Sequence, residues 1–190
     1  MDRLSALALI IALAAGCEKK ESPGEPAGRV NAAKTGTKRG TTPEAFCDVH
    51  HAAAGAPAFE WPALVGTAPP AVAGKWRWIN VWATWCKPCL EEMPRLARWQ
   101  AKLNVELAFV SVDETDAEVA TYRQAHPEAP PSVRLVEPAK ASEWFGKFGL
   151  AGDPPIPIHL FVDPAGKVRC ARAGGVNEAD LAVVERLLAE

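Results

Sequence analysis

At 190 residues, with 48% hydrophobic and 23% charged residues, the chain has the make-up of one globular domain plus extensions. Its formal net charge is -2 and no basic block exceeds two residues, which argues against a nucleic-acid partner, since phosphate binding needs a concentrated positive face. Seven tryptophans are many for this length, and Trp78, Trp82 and Trp85 crowd one short stretch.

The chain opens "MDRLSALALIIALAAGCEKKES". The apolar run from Leu4 to Ala15 is too short to span a bilayer as a helix, but it has the length of a signal-peptide h-region. "LAAGC" resembles the lipobox of bacterial lipoproteins, which would make Cys17 the acylated N-terminus; plain cleavage without lipid is the alternative. Residues 1–17 are therefore expected to be an export signal. Residues 18–45 are rich in Gly, Pro, Lys, Glu and Thr and lack large apolar side chains, so they cannot offset their ordering entropy. They should form a polar tether spanning about 30 Å.

Globular character begins at residue 46. "WRWINVWA" (76–83) reads as a buried central strand. After Cys86 the pattern turns helical, with Leu90, Met93, Leu96, Ala97 and Leu103 at three- and four-residue steps and Pro94 inside. "ELAFVSVD" (106–113) is a second buried strand, and a helix over 115–126 is opened by Thr115 or Asp116. A short "VRLV" (133–136) and a helix around 140–148 follow. "PIHLFVD" (157–163) and "KVRCARA" (167–173), joined by Asp-Pro-Ala-Gly, read as an antiparallel hairpin. Asn177 caps a last helix carrying Leu181, Val184, Leu187 and Leu188 on one face. This order implies an α/β domain over 46–190, its sheet parallel in the first half and covered by helices on both faces.

Cys86 and Cys89, three positions apart at a strand–helix junction, are open to three readings: half a metal site, a structural disulfide, or a pair that trades electrons. An exported chain lies where thiols are driven toward disulfides, which favours redox activity over zinc. A cysteine opening a helix lies near unpaired backbone N–H groups that, with the helix dipole, stabilise its thiolate. Cys86 is then the nucleophile, and Cys89, one turn on, resolves the mixed disulfide. Pro88 suits the first turn of the helix. Lys87 either steadies the thiolate or is simply a solvated lysine. Glu92, on the face turned toward Cys89, is placed to take or give the resolving thiol's proton, with Glu91 its solvent-facing competitor. Asn80, polar inside an apolar strand, is expected to hydrogen-bond beneath the site.

"NVWATWCKPCLEEMP" (80–94) resembles the active-site segment of thioredoxin-fold proteins, specifically the TlpA/ResA-like exported thiol–disulfide oxidoreductases. "APAF" (56–59), "FVSVDE" (109–114) and "FGLAGDPPIPIHLFVDPAGKV" (148–168) resemble further parts of that family. The resemblance implies a thioredoxin-like three-layer α/β/α sandwich with a mixed central sheet and a C-terminal antiparallel hairpin. It implies that Trp85 belongs to the active-site motif. It puts the family's cis-proline on Pro157, preceded by Ile156 and facing the CxxC, its active-site glutamate on Glu92 and its helix-kinking proline on Pro94. His159 stands where the family usually has a small hydroxyl residue. The activity implied is reduction of specific protein disulfides, such as those of apocytochrome c or copper-site proteins, with electrons from a membrane thiol donor. No dissociable cofactor or metal is expected, because the two thiols carry the electrons, and a monomer is expected.

Cys47 and Cys170 read as a structural disulfide or as two buried thiols. "CDVHH" (47–51) offers an alternative, a copper-handling module using Cys47, His50, His51 and His159. A thiol peroxidase is a third reading, but the proline of its Pro-x-x-x-Thr/Ser-x-x-Cys context is missing before Cys86.

Overall fold

A computed structural model describes residues 40–190. The expected export signal, Cys17 and residues 18–39 of the expected tether lie outside the described residues. Helix α1 (Pro43–Phe46), capped by Thr42, already begins inside the stretch assigned to the tether. It is followed by β1 (Val49–His50), β2 (Leu64–Val65), β3 (Arg77–Trp82), α2 (Lys87–Leu103) and β4 (Glu106–Ser111). Then come α3 (Asp116–Ala125), β5 (Ser132–Leu135), α4 (Ala141–Gly146), β6 (Ile158–Val162), β7 (Val168–Ala173) and α5 (Leu181–Leu187).

The strands form one mixed sheet in the order β1-β7-β6-β3-β4-β5-β2. β3, β4 and β5 are parallel, whereas β6 runs antiparallel to both β3 and β7. "VRLV" thus becomes a third parallel strand, paired through Phe109 and Ser132. β1 and β2, two residues each, close the two edges and were not visible in the sequence, because two residues carry no periodicity.

Every residue of β3 and of β6 is buried, so both faces of the sheet centre are covered. On one face Trp78 meets Trp99 of α2, and Trp82 meets Tyr122 of α3. The two crossovers move across the sheet in the same direction, and their shared handedness puts α2 and α3 on the same side. α4, with Trp144 and Phe145 buried, is the helix left to cover the other face. Trp78, Trp82, Phe145, Phe148 and Phe161 are nearly or fully buried, each a gain of roughly 1.5–3 kcal/mol.

Local chemistry sets the boundaries. Thr115 caps α3 in a reciprocal pair with Glu118. In the β6–β7 turn, Asp163 Oδ1 accepts from the N–H groups of Ala165 and Lys167, both at 2.9 Å, and Gly166 takes the left-handed φ of 77°. Asn177 caps a short 3-10 turn that runs into α5.

Candidate active site

The site is built on the loop between β3 and α2. Cys86 N–H donates to the Ala83 carbonyl at 3.1 Å, turning the chain out of the strand. Cys86 is the N-cap of α2, and its Sγ accepts from the Cys89 N–H at 3.3 Å. A weakly accepting disulfide sulfur becomes a strong acceptor when it is a thiolate, so the same contact favours the reduced, charged form. Cys86 and Cys89 form a disulfide with Cα atoms 5.3 Å apart. Both are completely buried, so exposure does not distinguish one cysteine from the other. Pro88 is in the first turn, where a missing N–H costs nothing. Lys87 is solvent-exposed, with Nζ 3.7 Å from Glu91 Oε1. Surface pairs of this kind contribute little. Trp85 is half-buried beside the pair.

Beneath α2 lies a buried polar layer. Glu92 Oε1 accepts from Asn80 Nδ2 at 2.8 Å, and Oε2 accepts from the Val176 N–H at 2.9 Å. His159 Nε2 lies 3.4 Å from Glu92 Oε1, and its Nδ1 accepts from Trp78 Nε1–H at 3.1 Å. Asn80, His159 and Arg172 are direct neighbours across β3, β6 and β7, and all three are buried. Arg172 donates to the Phe46 carbonyl and lies over the Phe46 ring at 4.5 Å. Burial pulls its pKa down, opposed by the carboxylates of Asp180, Asp48 and Glu92.

The Ile156–Pro157 peptide bond is cis, and Ile156 is buried. The Pro157 carbonyl accepts from the Gly174 N–H at 2.8 Å, tying this bond to the β7–α5 loop. A Cβ on Gly175 would meet Glu92 Oε2 at 3.3 Å and Pro157 Cγ at 3.9 Å, so Pro157, Gly175 and Glu92 sit together.

Two positions escaped the sequence reading. Asp113 is completely buried and accepts from the Thr84 N–H at 3.1 Å, from Thr84 Oγ1 at 2.7 Å and from Ser111 Oγ at 2.7 Å. It holds the loop that delivers Cys86. The signal was present: Ser111 and Asp113 are two polar residues on one face of an apolar strand. Gly175 had no such signal, because its smallness matters only through Glu92, which lies 83 positions earlier in the sequence.

The residues of the copper-handling alternative are engaged separately. Cys47 is disulfide-bonded to Cys170, with Cα atoms 5.5 Å apart. His51 Nε2 faces the Phe148 carbonyl, and His159 is enclosed under α2. His50 lies near Glu190, within a partly exposed group that also includes Glu44.

The AhpC/TSA family model matches residues 53–171. The thiol-disulfide oxidoreductase ResA of Bacillus thuringiensis (strain Al Hakam) is 33% identical over 99 residues, covering 50% of this chain and 53% of that protein. The thioredoxin-like protein YneN of Bacillus subtilis (strain 168) is 49% identical over 45 residues, covering 24% of this chain and 26% of its own. The chain thus spans about half the length, or less, of these curated relatives. Among solved structures, a thioredoxin-like protein in its oxidised form superposes with a TM-score of 0.53 at 20% identity, covering 70% of this chain and 95% of that one. A thiol-disulfide isomerase from Corynebacterium glutamicum superposes with a TM-score of 0.52 at 16% identity, covering 71% and 97%. At these identities the two structures establish the thioredoxin-like fold.

Proposed function

The chain belongs to the AhpC/TSA family, and from that premise we propose that it is a dithiol–disulfide oxidoreductase of the ResA-like kind, with Cys86 and Cys89 as its redox pair. The observation that carries the proposal is the Cys86–Cys89 disulfide at the start of α2, with the Cys86 sulfur taking a helix N-terminal N–H. In the reduced form the Cys86 thiolate attacks one sulfur of a partner disulfide. The partner S–S bond breaks, its other sulfur leaves as a thiolate that takes a proton from solvent, and a mixed disulfide forms on Cys86. Glu92 takes the proton of Cys89. The Cys89 thiolate then attacks Cys86 Sγ, the Cys86–partner bond breaks, and the partner leaves as a thiol after gaining a proton. Two electrons pass to the partner and the Cys86–Cys89 bond is remade, so no cofactor is needed. Pro157 is the proposed contact for the incoming partner chain, buried Ile156 precedes it, and Asn80 holds Glu92.

The proposed setting is outside the cytoplasm, on the periplasmic side, with the chain tethered through lipid on Cys17. Among the described residues no helix is long and apolar enough to cross a membrane. The proposed direction is reduction of protein disulfides, with apocytochrome c or copper-site proteins as candidate substrates and a membrane thiol donor recharging the pair. A peroxidase reading is disfavoured by the residues ahead of Cys86, which lack the proline that chemistry requires.

Trapping variants test the order of attack. Cys89→Ser should accumulate a mixed disulfide on Cys86 when offered a disulfide-bonded protein, readable by mass spectrometry. Cys86→Ser should accumulate none. The reverse pattern would exchange the two roles, and no adduct in either variant would remove the redox reading.

A further inference from the structure

We propose that His159 is a positioning residue for the resolving step, a buried imidazole fixed in one tautomer so that its Nε2–H aims at the Glu92 carboxylate. The inference rests on the reading above in that Glu92 is taken as the proton acceptor of Cys89.

The tautomer follows from what surrounds the ring. An indole N–H can only donate, so the Trp78 Nε1–H at 3.1 Å requires His159 Nδ1 to be an acceptor. Asn80 Nδ2, whose amide also donates to Glu92 Oε1, lies 3.5 Å from the same nitrogen. With Nδ1 facing two donors, the ring proton belongs on Nε2. That nitrogen has no hydrogen-bond partner at full bonding geometry, and Glu92 Oε1 lies 3.4 Å away. His159 is completely buried, and its Cα neighbours across the sheet are Asn80 and Arg172. The charged groups around it are Glu92 on α2 and Arg172 on β7, the latter in the field of Asp48 and Asp180.

A buried donor 3.4 Å from one carboxylate oxygen but outside hydrogen-bond geometry marks where that carboxylate can move. In the oxidised pair Glu92 is drawn to Asn80 and the Val176 N–H. A small shift toward His159 closes the third contact and turns the carboxylate within the helix. His159 does not itself carry the proton, because accepting one at Nδ1 would break the Trp78 contact. It orients the group that does.

Two measurements test this. The first reads the ring directly: at neutral pH, nitrogen-15 chemical shifts of His159 in the oxidised protein should show Nε2 protonated and Nδ1 bare. Trp78→Phe should release the preference. A protonated Nδ1 in the unsubstituted chain would overturn the proposal. The second uses the pair reduced with Cys47–Cys170 intact, mixed with an aromatic disulfide whose thiol absorbs light. Loading of Cys86 releases one aromatic thiol, and attack by Cys89 releases the second. His159→Leu should lower the ratio of second to first release rate about tenfold, and His159→Gln, whose amide N–H replaces Nε2–H, should recover most of that loss. An unchanged ratio in the leucine variant, or equal defects in both variants, would overturn the proposal. If the unsubstituted protein gave no second release, the redox assignment would fall, and with it the Glu92 role on which this inference depends.

Discussion

Asp113, just past β4, and Glu92, on α2, are both buried carboxylates, yet their surroundings give them different tasks. Asp113 is saturated: the Thr84 backbone and hydroxyl and the Ser111 hydroxyl all donate to it. Such a group fixes geometry. Glu92 is held by one amide side chain and one backbone N–H, with His159 Nε2 3.4 Å from Oε1 but outside hydrogen-bond geometry, which leaves it free to respond. Removing Asp113 strands the buried Ser111 hydroxyl, a loss of about 1–3 kcal/mol for an unsatisfied buried donor. Asp113→Ala should therefore lower the unfolding free energy by that amount, read as a lower urea midpoint, and loosen the loop that presents Cys86. An unchanged midpoint would mean the loop is held by other contacts.

At the scale of elements, α2 was the most legible part of the chain and the most consequential. Its apolar spacing, the proline in its first turn and the cysteine pair at its start all point to one placement, and Cys86 occupies the N-cap. β3 and β6 were equally readable, because fully buried strands appear as mostly apolar runs, here broken by Asn80 and His159. Glu92 could be placed by its step of three from Cys89. What the sequence could not supply were partners distant in the chain. The meeting of Asn80, Glu92, His159 and Trp78 depends on β6 lying beside β3, a pairing between segments about 80 positions apart. Likewise, the β7–α5 loop reaches Glu92 only because Gly175 has no side chain to hold it off. The two-residue edge strands were invisible for a simpler reason: pairing alone defines them.

Among the described residues of the molecule, two disulfides meet opposite demands. Cys47–Cys170 ties the C-terminal end of α1 to β7 across a sequence separation of 123 residues. A loop of that length restricts the unfolded chain strongly, and such bridges contribute about 2–5 kcal/mol. Replacing both cysteines by alanine should lower the unfolding free energy within that range, measured by denaturant titration, while Cys86–Cys89 continues to cycle. A loss under about 1 kcal/mol would mean that the pairing of β1 with β7 holds without the bond.

Equilibration in graded thiol buffers, with free thiols trapped and located by mass spectrometry, tests the central claim most directly. Cys86–Cys89 should open as a two-electron couple near the thioredoxin potential of about -270 mV, with Cys47–Cys170 still intact. A couple near about -120 mV would make the protein an oxidant and reverse the proposed direction. A Cys86–Cys89 bond that outlasts Cys47–Cys170 would contradict the assignment of the redox pair itself.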